Sequence, residues 1–174
     1  MAHDWKEQWR RVEIGLRRVQ NLYAGVQQGS SEDAMYDLYA FFLNCWHFRD
    51  WLTSPEPPTL AYEKSVKPRI KTSKPLRVCG DVANRTKHFR LTQTVYSDPD
   101  TRVSSASVNV NAPAAGVVVG QPDHGPAFVP AVGRQGTVQY SWVIQSGDES
   151  YDALRLAEDC TEEWRRLLRE HRLM

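Results

Sequence analysis

A mainly α-helical fold with a β insertion is what this 174-residue chain predicts, and three observations predict it. Apolar residues recur at helical spacing over about 4–27, 32–53, 74–91 and 150–172. Between the third and fourth of these stretches, over about 92–145, the texture changes to Thr, Val, Ser, Gly and Pro with runs of strict alternation. Capping residues and prolines stand at the ends of the helical stretches. The architecture expected is a four-helix bundle with a small antiparallel sheet or long hairpin between helices three and four, in a single domain spanning 1–174.

Each element has its own local reason. In the first stretch Trp5, Trp9, Val12, Leu16, Val19, Tyr23 and Val26 alternate at spacings of four and three, the apolar seam of a packed helix. Ser30 and Asp33 form a capping-box pattern ahead of the second helix. Its apolar residues, from Met35, Leu38, Phe41 and Phe42 to Cys45, Phe48 and Leu52, nearly encircle the axis, which makes it the expected central helix. Ser54-Pro55-Glu56-Pro57-Pro58 stops it. Residues 59–73 suggest one short helix before Pro68 and a basic loop after it, and Ser73 and Pro75 open the third helix. In the insertion, Val103 to Asn111 alternates weakly, Val117-Val118-Val119 is a short apolar run, and Val138, Tyr140, Trp142 and Ile144 alternate cleanly. Glycines mark its loops, with a turn at Gln121 to Pro126, and Ser146 to Ser150 turns the chain into the last helix.

Composition narrows the function. With 41% hydrophobic and 25% charged residues the chain can bury one sizeable core, and a net charge of +1 gives no global pull toward nucleic acid or membrane. The opening residues lack a signal-peptide stretch and no apolar run spans a bilayer, so a cytoplasmic location is expected and no membrane partner. Cys45, Cys79 and Cys160 have no CxxC spacing and sit among apolar neighbours in helical patterns, which reads as buried free thiols. No cofactor and no metal are expected.

Two polar strings stand out against the apolar helices: His47-Phe48-Arg49-Asp50-Trp51, and Asp81-Val82-Ala83-Asn84-Arg85-Thr86-Lys87-His88. His47 and Asp50 are three apart, and Asp81, Asn84 and His88 share a helical face with Arg77 one turn earlier. The plainer reading is a polar clamp between helices two and three, with a core histidine satisfied by a carboxylate. The catalytic reading makes His88 or His47 a general acid or base, with Asp50 or Asp81 holding the tautomer. In it Asn84 orients the substrate, and Lys87 or Arg77 stabilises developing negative charge. A metal site from His47, Asp50, Asp81 and His88 has acceptable ligand types and no diagnostic spacing.

Beside the second string lies a local excess of positive charge. From Ala61 to Arg90 there are nine basic residues, Lys64, Lys67, Arg69, Lys71, Lys74, Arg77, Arg85, Lys87 and Arg90, against two acidic ones. Such a stretch suits a phosphate-binding surface, so these residues are the nucleic-acid-binding candidates. Its plainer reading is a solvated face balanced by acidic Asp148, Glu149, Asp152, Glu158, Asp159, Glu162 and Glu163 from the last helix.

The strings His47, Asp50 and Trp51, then Asp81, Asn84, Lys87 and His88, then Leu156, Ala157, Glu158 and Trp164, together resemble a group of small uncharacterised bacterial helical proteins. In architecture the chain also resembles HEPN-type helical bundles. That resemblance implies metal-independent RNA cleavage in toxin and antiphage systems, often at a dimeric active site, and hence RNA and a second copy of the chain as partners. The HEPN signature is an arginine followed a short distance on by a histidine. Arg85 precedes His88 by only three and Arg77 by eleven, while Arg165 and Arg166 stand before His171 at spacings that match formally. The competing expectation is a non-enzymatic accessory module that docks a protein partner on the β insertion, its His/Asp cluster purely structural.

Overall fold

The computed structural model describes residues 4–26, 30–54, 58–87, 95–111 and 137–174. In chain order they form α1 (Trp5–Ala24), α2 (Ser31–Thr53), a π-helical turn (Tyr62–Val66), α3 (Lys67–Thr72), α4 (Lys74–Lys87), β1 (Arg102–Asn111), β2 (Thr137–Ser146), β3 (Glu149–Asp152) and α5 (Ala153–Glu170). The protein is mainly helical with a small antiparallel sheet, as its sequence predicts.

Local chemistry explains the boundaries. The Ser30 hydroxyl accepts from Asp33 N–H while the Asp33 carboxylate accepts from Ser30 N–H, the reciprocal box that starts α2. Eight of the buried side chains come from α2, spread widely around its axis. In α1 the seam holds from Trp9 to Val19, but the helix ends at Ala24. Leu22 is buried and Val26, beyond the helix, is exposed. The region after α2 differs from expectation. Helix continues through Pro68 because the proline occupies the first turn of α3, where no intrahelical N–H is needed.

The sheet has the order β1-β2-β3, both pairs antiparallel, with Ala106 opposite Trp142 and a register shift between Val103 and Ser105. A strand replaces the expected first turn of the last helix, since Ser146 pairs with Glu149 across a two-residue turn. Gly147 holds φ +58 there, the left-handed conformation such a hairpin asks of its first central residue. Asp152 then caps α5 by accepting from Arg155 N–H at 2.9 Å.

Tyr23 fastens the sheet to the helices. Its hydroxyl accepts from Trp142 N–H at 3.0 Å and from Leu154 N–H at 3.3 Å, tying α1 to β2 and to the start of α5. Tyr140, Trp142 and Ile144 alternate inward from β2 to join a core that includes Phe41, Phe48, Leu156 and Trp164. Among the described residues no helix is long and apolar enough to cross a membrane.

Candidate functional site

The first polar string lies at the C-terminal end of α2, half exposed. His47 Nδ1 is 3.1 Å from Asp50 Oδ2, one helical turn on, with side-chain exposures of 35% and 46%. Asp50 Oδ1 accepts from Arg49 Nε at 3.2 Å. The Arg49 side chain is only 19% exposed, and its guanidinium lies 4.0 Å over the Trp46 ring. From there Arg49 Nη1 donates to the Tyr96 hydroxyl at 3.1 Å.

The second string is built for another purpose at its first residue. Asp81 is fully buried, and its carboxylate accepts from the backbone N–H groups of Tyr96, Ser97 and Asp98 at 2.8, 2.5 and 3.1 Å. It holds the segment before β1 against α4. Burial pushes the Asp81 carboxyl up, and the three N–H donors work the other way. The two strings therefore share one network, His47–Asp50–Arg49–Tyr96–Asp81. His47 is half exposed, not the expected core histidine, and the link between the strings runs through Arg49 and Tyr96 instead of a direct contact between histidine and the second string. Asn84 is half buried on α4. The Lys87 side chain, His88 and Arg90 lie outside the described residues, as do the apolar run at Val117 and the turn at Gln121 to Pro126.

Four residues of the basic stretch are engaged within the protein on this side. Lys67 pairs with Glu63 at 2.7 Å, Lys74 with Glu149 at 2.5 Å, and Arg69 with Glu163 at 3.4 Å and with Glu170. Arg77 Nη1 donates to the Lys71 carbonyl at 3.0 Å. Lys64 and Lys71 are exposed on this face. In the formal HEPN-like match, Arg165 pairs with Glu13 and lies over the Trp9 ring, Arg166 pairs with Glu162 and Glu163, and exposed His171 caps α5.

Arg85 Nη1 donates to the Pro99 carbonyl at 3.4 Å, and its side chain faces a different part of the surface. It lines an open cleft of about 800 Å³ between α2, α4 and β1, with Tyr36, Tyr39, Ala40 and Leu43 on one side and Val82, Thr86, Arg102 and Val103 on the other. Burial pushes the Tyr39 hydroxyl above its usual range, with the Arg85 charge pulling the other way. Tyr36, Ala40, Leu43 and His47 recur at spacings of four, three and four, so the cleft and the His47–Asp50 pair share one face of α2.

Deep in the core, the sulfur atoms of Cys45, Cys79 and Cys160 all lie within 4.8 Å of one another. All three thiols are free and buried. Cys79 Sγ is 3.6 Å from the Phe42 carbonyl and Cys160 Sγ 3.3 Å from the Pro75 carbonyl. Burial pushes the Cys79 and Cys160 thiols up. At Cys45 burial acts the same way while the neighbouring Cys160 and Cys79 thiols act the other way and draw it below its ordinary value, and the Trp164 indole donates to the Cys45 carbonyl at 3.1 Å.

No protein-family model, curated protein or solved structure matches this chain.

Sequence reasoning missed Tyr39 and Arg102 in the cleft, and Tyr96 in the network. The one available signal was spacing, because Tyr36 and Ala40 lie on the same α2 face as His47.

Proposed function

We propose that this protein is an RNA-directed helical-bundle protein that takes single-stranded RNA in the cleft between α2, α4 and β1. The observation that carries this reading is the cleft lining, in which two tyrosines stand beside two arginines. Unpaired bases stack on aromatic rings and guanidinium planes, and arginines hold the phosphates between them. A net charge of +1 means the attraction is local to this cleft and to exposed Lys64 and Lys71.

Cleavage is the second step of the proposal, along the HEPN-like line of a metal-independent ribonuclease in a toxin or antiphage system. In this proposal Asp50, 3.1 Å from His47 Nδ1, holds the ring by accepting from Nδ1–H, and His47 Nε2 is the base for a ribose 2′-hydroxyl. His88 is the proposed acid for the leaving oxygen and Lys87 the proposed cation over the phosphate, supplied within one chain or across a homodimer.

Fluorescence anisotropy with short single-stranded and duplex RNA tests the binding step. Single-stranded RNA should bind more tightly, and Arg85→Ala with Arg102→Ala should reduce the salt slope of log K by about 0.7 per arginine. Unchanged affinity in the folded double variant sinks the cleft assignment. For cleavage, His47→Ala should abolish product while the melting temperature holds, and equal turnover by that variant would refute His47 as the base.

A second reading is favoured by the Arg49–Tyr96 bond, which gives the polar strings a purely architectural job. Under it the chain is a non-enzymatic module presenting β1 to a protein partner, and wild-type protein without RNA affinity is the result that selects it.

A further inference from the structure

We propose that Cys45, Cys79 and Cys160 form an all-sulfur binding site for a thiophilic d10 metal cation at the centre of the helical core. The site is independent of the RNA reading.

Convergence is the first reason. The three residues come from α2, α4 and α5, far apart in sequence, yet their sulfurs gather within 4.8 Å and each residue is 0% exposed. Three thiols at one point in the core supply three soft ligand atoms to a common centre.

Geometry is the second. Zinc–thiolate bonds run about 2.3 Å, so a cation in the plane of three sulfurs holds them about 4.0 Å apart. Starting from separations of at most 4.8 Å, the sulfurs need draw inward by no more than about 1 Å, within reach of rotation at the side chains. Cys79 and Cys160 would turn from the Phe42 and Pro75 carbonyls toward the ion.

Ligand chemistry selects the cation class. The group contains no histidine and no carboxylate, which excludes magnesium and calcium, both oxygen-seeking. Soft thiolates select zinc and monovalent copper. Three sulfurs without water suit Cu⁺, whereas Zn²⁺ usually takes a fourth ligand, so these two ions are separate arms of one test. Binding forms three metal–sulfur bonds and releases to solvent a proton from each thiol still protonated, with no change of oxidation state. Because the site is sealed, the ion loads while the helices assemble.

The experiment refolds the full chain under reducing, anaerobic conditions with Zn²⁺, with Cu⁺ or with neither, and measures bound metal after removal of free ion. Cd²⁺ serves as the spectroscopic probe. One ion per chain in either arm is expected, with a sulfur-to-cadmium charge-transfer band and a raised melting temperature. Cys45→Ala and Cys160→Ala should each abolish the band. Because either variant can fail to fold, the wild type alone can decide: native circular dichroism with neither ion bound and no cadmium band overturns the site. Stoichiometric binding that survives in both folded variants overturns it equally.

Discussion

Arg49 on α2 donates to the Tyr96 hydroxyl at 3.1 Å, and with the Tyr96 N–H donating to Asp81 that bond joins two polar strings far apart in the chain. Trp46 supports both partners, with its ring 4.0 Å beneath the Arg49 guanidinium and 4.6 Å from the Tyr96 ring. An aromatic floor of this kind keeps the arginine aimed while limiting its contact with water.

Tyr96→Phe should therefore lower stability by about 0.5–1.5 kcal/mol, because it removes one hydrogen bond and keeps the ring. Arg49→Ala should cost more, losing the Asp50 contact and the stack on Trp46 as well. Urea unfolding of both singles and the double should show coupling of about 0.5 kcal/mol or more. Strict additivity would mean that the bond contributes nothing.

Asp81→Ala should destabilise by about 1.5–3 kcal/mol, since the carboxylate is the acceptor for three backbone N–H groups before β1. Hydrogen exchange gives the sharper check. The Tyr96, Ser97 and Asp98 amides should lose protection while the amides of α1 keep theirs.

Gly80→Ala should destabilise by about 1–3 kcal/mol although alanine is the better helix former. A methyl group there would lie 2.8 Å from the Trp46 ring, which is itself fully buried and has nowhere to retreat. Thermal unfolding reads the sign directly, and an increase in melting temperature would show that the ring can give way.

The Arg69–Glu170 pair makes a pH prediction. The Arg69 guanidinium holds the Glu170 carboxyl below its ordinary value of 4.5. A lowered folded-state pKa means that the unfolded chain binds the proton first as pH falls. The contribution is thus complete above 4.5 and lost below it. Glu170→Gln should flatten the melting temperature against pH in that range, and the difference should shrink in high salt because the Glu170 carboxylate is exposed.

Much of the fold was legible because its signals are local. The Ser30–Asp33 box and the alternation from Val138 to Ile144 each concern neighbours along the chain, and both appear where the sequence places them. Where expectation and structure part, a competing local rule decided. Pro68 sits in a first helical turn, which tolerates it, and Asp152 caps α5 after a short strand has used the residues before it.

The site was legible in part. His47 and Asp50 meet as their spacing implies, and Asp81 is tied to the same network. Arg49 lay inside the first string without being singled out, because an arginine beside an aspartate on a helix looks like any solvated ion pair. Tyr96 had no helical neighbour to reveal it.

The sequence by itself determined the long helices, the Ser30–Asp33 cap and the inward face of β2, for these follow from periodicity and hydrogen bonding within a few residues, whereas α3 and β3 escaped it. Only the tertiary structure decided that Arg49 reaches Tyr96, that Tyr36, Tyr39, Arg85 and Arg102 line one cleft, and that three distant cysteines meet in the core. Such meetings depend on how helices and strands pack against one another, and no spacing along the chain records that geometry.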